Sequence, residues 1–310
     1  MYKDLISIKD LSTQDIDLII STAISFKEVL QRDIKKVPTL RGKTAINLFF
    51  EPSTRTKTSF ELAQKRLSTD VINFTVPTSS VVKGESLFDT IKTIEAYGVD
   101  FIIIRHQSSG VPYLVSRFAN ASIINAGDGI NEHPTQALLD TFTIIERKGA
   151  VAGLNIAIVG DIFHSRVARS NIYCLTKLGA NVRLIAPNTL LPKGIENENV
   201  HIYTNLDKGI KDADVIMTLR IQKERQSGGF LSTTEEYFRF WGLTRKKMAS
   251  AKPDVIVMHP GPMNRGVEIA SEVCDSLHSV IYDQVVNGLA VRMAVLYLLS
   301  SAKLNYTGSL

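Results

Sequence analysis

Strand-length apolar runs alternate with stretches of helical length along most of this chain, and few architectures can bury such a pattern. Thr44 to Phe50, Val71 to Thr75 and Val99 to Ile104 are short and rich in β-branched or aromatic residues. Between them lie Ser59 to Leu67 and Ser86 to Tyr97, long enough for helices. Runs of this kind fit strands covered on both faces by helices, as in parallel βαβ units. A second series begins after Lys148-Gly149, where Leu154 to Gly160, Val182 to Ala186, Val215 to Leu219 and Val255 to Met258 repeat the pattern. The expected fold is α/β, with two doubly wound parallel-sheet domains joined by helices. Pro134 to Arg147 reads as a joining helix and Val285 to Lys303 as a final helix that returns to the first half. The first domain is expected over residues 1–134 plus 289–310, and the second over 135–288. An N-terminal helix is expected from Ser12-Thr13-Gln14-Asp15, followed by Ile16, Ile19, Ile20 and Ile24 at helical spacing.

Composition narrows the class of partner. With 36 basic against 31 acidic residues the chain carries +5, a balance that suits nucleic acid, an anionic surface or small anionic substrates. Basic residues run no longer than Lys35-Lys36 and Arg245-Lys246-Lys247, and aromatics are not interleaved with them. Stacking platforms for nucleic acid are therefore not expected, and small anions are favoured. Apolar runs such as Phe101 to Ile104 stop short of the roughly 18 residues of a membrane span, so no bilayer crossing is expected. Met1-Tyr2-Lys3-Asp4 lacks signal-peptide character, and a cytoplasmic protein is expected. Cys174 and Cys274 show neither CxxC nor CxxH spacing and read as reduced, buried packing residues, with no metal site. Gly160-Asp161 follows a strand, but the continuation Ile162-Phe163-His164 lacks G-x-G-x-x-G, so a dinucleotide cofactor is not expected.

The densest set of anion-binding groups is Ser53-Thr54-Arg55-Thr56-Lys57-Thr58, where a strand gives way to a helix. Unpaired backbone N–H groups and the positive end of a helix dipole favour an anion there, and hydroxyl and guanidinium donors add to the attraction. A lone Ser or Thr would read as a helix cap. A cap needs one hydroxyl, whereas this stretch supplies four in six residues around an arginine.

Ser53-Thr54-Arg55-Thr56 resembles the phosphate signature of the aspartate and ornithine carbamoyltransferase family. Arg105-His106, His133-Pro134-Thr135-Gln136, Gly160-Asp161 with Arg166, and His259-Pro260-Gly261-Pro262 resemble that family's other elements in the same order. The resemblance implies an active site in the cleft between the two domains, carbamoyl phosphate as donor and no cofactor. It implies that Ser53, Thr54, Arg55 and Thr56 hold the phosphate, and that Thr56, Arg105 and His133 face the carbonyl oxygen. Gln136, with the Pro260 carbonyl and Gly261, would orient the carbamoyl amide. Ser79 and Lys83, in Thr78 to Glu85, match a loop that enters a neighbouring subunit's site, which implies a homotrimer with shared sites. On position alone Arg105 also reads as a solvated charge, His133 as a helix cap and His259-Pro260 as a rigid turn.

Leu219-Arg220-Ile221-Gln222-Lys223-Glu224-Arg225 resembles the aspartate branch of the family. The chemistry agrees, because arginine can grip a carboxylate with two parallel hydrogen bonds. Arg166 and Arg220 are the candidate clamps for L-aspartate, with Gln222 and Lys83 beside them by resemblance. Ornithine enzymes are similar to one another in carrying Cys after the His of the late motif and an SMG segment; here those places hold Pro260 and Leu219-Arg220-Ile221-Gln222. The expected reaction is carbamoyl transfer to aspartate in pyrimidine synthesis. A carbamoyltransferase for another amine and a non-catalytic homologue stay open as alternatives. Gln222 to Thr234, with Gly228-Gly229, reads either as a substrate lid or as a polar surface connection. A regulatory chain or a dihydroorotase partner would be a separate polypeptide and leaves no mark in this sequence.

Overall fold

The winding direction of each sheet decides where a ligand can sit, and both sheets reverse direction once. In the computed structural model, which describes residues 3–75, 85–221 and 233–306, the chain forms two compact units. Unit 1 comprises Met1–Leu138 with Val286–Leu310, and unit 2 comprises Leu139–Val285.

Among the described residues of unit 1, helix α1 (Thr13–Leu30) precedes strand β1 (Thr44–Phe49), helix α2 (Thr54–Arg66), β2 (Asp70–Thr75), α3 (Leu87–Ala96), β3 (Phe101–His106), α4 (Val111–Ser116) and β4 (Ser122–Asp128). The strands are parallel in the order β2-β1-β3-β4. Helix α2 carries the chain from β1 to β2, whereas α3 carries it back past β1 to β3. Right-handed crossovers that travel in opposite directions put their helices on opposite faces. Alternation along the strands supplies the packing, with Ile46, Leu48, Ile102 and Ile104 joined to Ile91, Ile94 and Val115 in one core. Helix α1 starts with a capping box between Ser12 and Asp15 and buries Ile16, Ile19, Ile20, Ala23 and Phe26. Ile24, read onto that stripe from spacing, is exposed instead, because Ala23 and Phe26 complete the apolar face.

In unit 2, α5 (Pro134–Lys148) enters from unit 1 and is followed by β5 (Asn155–Val159), α6 (Arg166–Lys177), β6 (Asn181–Ile185), β7 (Val200–Tyr203), α7 (Leu206–Ile210), β8 (Val215–Thr218), α8 (Thr234–Trp241), α9 (Arg245–Met248), β9 (Ile256–Met258), α10 (Ser271–Cys274) and α11 (Ile281–Tyr306). The parallel order is β7-β6-β5-β8-β9. One face, with Ile156, Ile158, Val182, Leu184 and Met217, packs against Ile144, Ala168 and Ile172. The other, with Ala157, Val159, Ile185 and Val257, packs against Leu206, Ile210, Met248 and Val273. Ile156 and Ile158 are fully buried, and truncating either to alanine is expected to cost about 2–5 kcal/mol.

The boundaries between the units fall inside α5 and α11. The latter corrects only the premise that apolar runs stop short of a span's length, since Ile281–Ser301 is long and apolar enough to cross a membrane by length and composition, with a mean hydropathy of 1.3. Within the protein 72% of that window is buried, so packing accounts for its apolarity. Cys174 and Cys274 are buried and are not joined in a disulfide.

Candidate active site

In an open parallel sheet the strand ends diverge where the winding reverses, and ligands bind there, beyond the carboxyl ends of the strands. In unit 1 that point lies between β1 and β3. β1 leads directly into the Ser53-Thr54-Arg55-Thr56 turn, and β3 ends on Arg105 and His106. Strand β3 thus includes both residues, which the sequence reading set after it.

Ser53 is the N-cap residue of α2, yet its side chain caps nothing. By contrast, Ser12, Ser86, Ser165, Thr233 and Thr244 each accept a backbone N–H of their own helix. No acidic residue stands in the first turn of α2. Thr54 and Arg55 are exposed, whereas Thr56 is buried. The helix therefore offers an anion its N-terminal N–H groups and dipole, with Ser53 not engaged as a cap.

Arg105 reaches the same place from β3. Its Nη1 donates to Oγ1 of Thr56 at 3.4 Å and to the Ala126 carbonyl at 3.2 Å. Its Nε lies 2.7 Å from Oε1 of Glu51, with both side chains largely buried. The register between β3 and β4 shifts between Ile104 and His106, and an irregularity of that kind re-aims a side chain at a strand end. The neighbouring His106 packs its ring against Phe50 at 4.7 Å. Burial pushes its imidazole below the ordinary range, against the opposing pull of the Glu51 and Asp128 carboxylates.

His133 and Gln136 open α5 and are buried at 4% and 7% exposure, which rules out a solvated role for either. The turn before them is held by polar groups that sequence reading passed over. Asp128 accepts from Asn125 Nδ2, from the Glu132 and Gly110 backbone N–H groups and from Asn131 Nδ2. Glu132 accepts from Ser7 and from the Ile8 N–H. The available signal was Asn125 and Asp128 inside an otherwise apolar run.

In unit 2 the reversal lies between β5 and β8. Gly160 follows β5 with φ +130°, and a Cβ there would lie 2.8 Å from the Leu219 carbonyl oxygen. Glycine therefore permits the close approach of the two strand ends that lead to Arg166 and Arg220. Arg166 is the first residue of α6 and is 3% exposed, whereas Arg220 is half-buried just beyond β8. Asp161 holds the intervening turn by accepting from the His164 backbone N–H at 3.2 Å, with His164 Nδ1 2.8 Å away.

The His259-Pro260-Gly261-Pro262 turn follows β9 and contains a cis Gly261–Pro262 bond. His259 Nδ1 accepts from the Gly261 N–H at 2.7 Å, so its proton sits on Nε2, which donates to Glu268 at 3.0 Å. Ser79, Lys83 and Gln222 lie outside the described residues, as does most of the Gln222 to Thr234 stretch. Among the described residues no group of His, Cys, Asp or Glu is arranged to hold a metal ion.

Comparison with known proteins agrees with this geometry. Residues 3–146 match the carbamoyl-phosphate-binding domain of aspartate/ornithine carbamoyltransferases, and residues 152–299 match the Asp/Orn-binding domain. The chain is 57% identical over 302 residues to the aspartate carbamoyltransferase catalytic subunit of Syntrophotalea carbinolica, covering 97% of this chain and 96% of that one. It is 55% identical over 304 residues to the same subunit of Desulforapulum autotrophicum, covering 98% and 97%. The solved aspartate transcarbamoylase of Trypanosoma cruzi in complex with N-(phosphonacetyl)-L-aspartic acid superposes with a TM-score of 0.87 at 33% identity, covering 95% and 94%. Ornithine carbamoyltransferase of Pyrococcus furiosus superposes with a TM-score of 0.84 at 31% identity, covering 94% and 95%.

Proposed function

The chain belongs to the aspartate/ornithine carbamoyltransferase family, and from that premise we propose how its residues serve the reaction. It is an aspartate carbamoyltransferase: it moves the carbamoyl group of carbamoyl phosphate to the amine of L-aspartate, giving N-carbamoyl-L-aspartate and phosphate. Solved relatives of both branches superpose almost equally well, so fold does not choose the acceptor. Sequence identity to the aspartate enzymes and the Leu219-Arg220 strand end do.

The observation that carries the donor half is the start of α2, where Ser53 caps nothing and Arg105 meets Thr56. In this reading Ser53, Thr54, Arg55 and Thr56 take the phosphate, and Thr56, Arg105 and His133 donate to the carbonyl oxygen as negative charge grows on it. Gln136 and the Pro260 carbonyl orient the carbamoyl amide, and Arg166 and Arg220 take the two carboxylates of aspartate. The amine nitrogen bonds to the carbamoyl carbon, the carbon–oxygen bond to phosphate breaks, and its electron pair leaves with the phosphate, which accepts the amine's proton. His133 serves as a hydrogen-bond donor; loss of the lower pKa from the pH profile of His133→Ala would instead make it a base.

A homotrimer in the cytoplasm, with Ser79 and Lys83 serving a neighbouring subunit's site, completes the proposal. Mixing Arg55→Ala with Lys83→Ala chains is expected to restore activity in hybrid trimers; no recovery after demonstrated subunit exchange would sink the shared site. The primary test offers the purified chain carbamoyl phosphate with either aspartate or ornithine. Product with aspartate alone is expected, and product with ornithine alone would overturn the acceptor while sparing the phosphate site.

A further inference from the structure

Gln284, in α11, is 3% exposed, and both ends of its amide are engaged. Its Oε1 accepts from the His259 backbone N–H at 2.9 Å, and its Nε2 donates to Oδ1 of Asp140 at 2.7 Å. Asp140, in α5, is fully buried, and its other oxygen accepts from Nδ2 of Asn171 at 2.8 Å. Asn171 belongs to α6, the helix that Arg166 opens, and it also donates to the Val167 carbonyl in the turn after Arg166. At the far end, His259 is fixed through both ring nitrogens, by Gly261 and Glu268, and Glu268 also accepts from the Asn264 N–H at 2.6 Å. One buried relay therefore runs within unit 2 from the Arg166 helix to the turn after β9.

The amide of Gln284 has one workable orientation. Flipped, it would set N–H against the N–H of His259 and oxygen against the Asp140 carboxylate. Burying a carboxylate and an amide costs free energy that an apolar pair would not, while hydrogen bonds to both oxygens of Asp140 and to both ends of the Gln284 amide hold their elements in one arrangement. Neither residue belongs to a motif that touches substrate in the reading above.

We propose that Gln284 and Asp140 are positioning residues for aspartate binding, which fix the helix carrying Arg166 against the His259-Pro260 turn. The inference rests on the assignment of Arg166 to aspartate. Gln284→Glu places two carboxylates across a 2.7 Å contact, and Asp140→Asn removes the charged acceptor. The double variant exchanges the polarity of the bond, since the introduced carboxylate accepts both from His259 and from the introduced amide.

Steady-state kinetics on the full chain read the outcome, with inhibition by inorganic phosphate as an internal control for the unit 1 site. Each single variant is expected to raise the KM for aspartate about tenfold while phosphate inhibition changes less than about twofold, and the double variant to return within about threefold of the parent. An unchanged aspartate KM in a folded single variant, or a double variant no better than the worse single, overturns the proposal. If Gln284→Glu does not fold, Asp140→Asn alone carries the test by the same criterion. Lack of transfer to aspartate by the parent chain rejects the substrate assignment, and the inference with it, before any variant is read.

Discussion

Each sheet has a helix that begins beside the point where its winding reverses, and the two helices treat their first turns in opposite ways. Helix α6 is closed on itself: Ser165 is buried and its hydroxyl accepts the Ala168 N–H. Helix α2 is left open, with Ser53 not used as a cap and Thr54 and Arg55 exposed. The same strand-to-helix junction thus offers main-chain donors to an anion in unit 1 and is a structural joint in unit 2, where the proposed function gives the anion-binding duty to the side chains of Arg166 and Arg220. Phosphate, with several oxygens around one centre, suits a ring of N–H and hydroxyl donors. A carboxylate is flat and suits a guanidinium fork.

The contrast can be broken most forcefully at Arg55. Arg55→Ala is expected to remove about 2.7–4 kcal/mol of transition-state stabilisation, lowering kcat more than it raises the KM for carbamoyl phosphate; an effect confined to KM would reduce Arg55 to a binding group. Next in size is Arg220→Ala, for which we expect a loss of about 1.5–3 kcal/mol in kcat/KM for aspartate. Its phosphate inhibition constant should stay as in the parent, and a change in that constant would blur the division between the units. The finest test pairs two serines. Ser165→Ala should lower unfolding stability by about 1 kcal/mol, as loss of a working cap does, whereas Ser53→Ala should leave stability within about 0.5 kcal/mol and weaken phosphate instead. Denaturant titration of both, with and without phosphate, separates cap from ligand.

Much of this is legible in the amino-acid sequence. The buried strands β1, β3, β5, β6, β8 and β9 announce themselves as apolar runs, and the phosphate turn as an excess of hydroxyls around Arg55. Strand β4 is fully buried but interrupted by Asn125, Gly127 and Asp128, so its sequence mimics a loop. Those polar residues are there to fix the turn before His133. Strand β7 is a four-residue edge strand with His201 exposed, too short for periodicity to register. Within the site, arginines and hydroxyls were readable because their chemistry is local. Glu51 lies two residues before the phosphate turn but acquires meaning only through Arg105, a pairing across two strand ends that spacing does not reveal. The Asp140–Gln284–His259 relay is invisible for the same reason, since its members are distant in sequence and meet only when folded.

The open start of α2 also bears on folding. A helix whose first turn lacks its cap is an unfinished element, and under the proposed function a phosphate-bearing ligand supplies the missing acceptor. Such a ligand is a detachable part of the native state as well as a reactant, and mass action adds about 2.7 kcal/mol to stability at a hundredfold excess over its dissociation constant. Where that ligand is scarce, the chain keeps its fold without this increment, so its resistance to unfolding rises and falls with the supply of the donor it consumes.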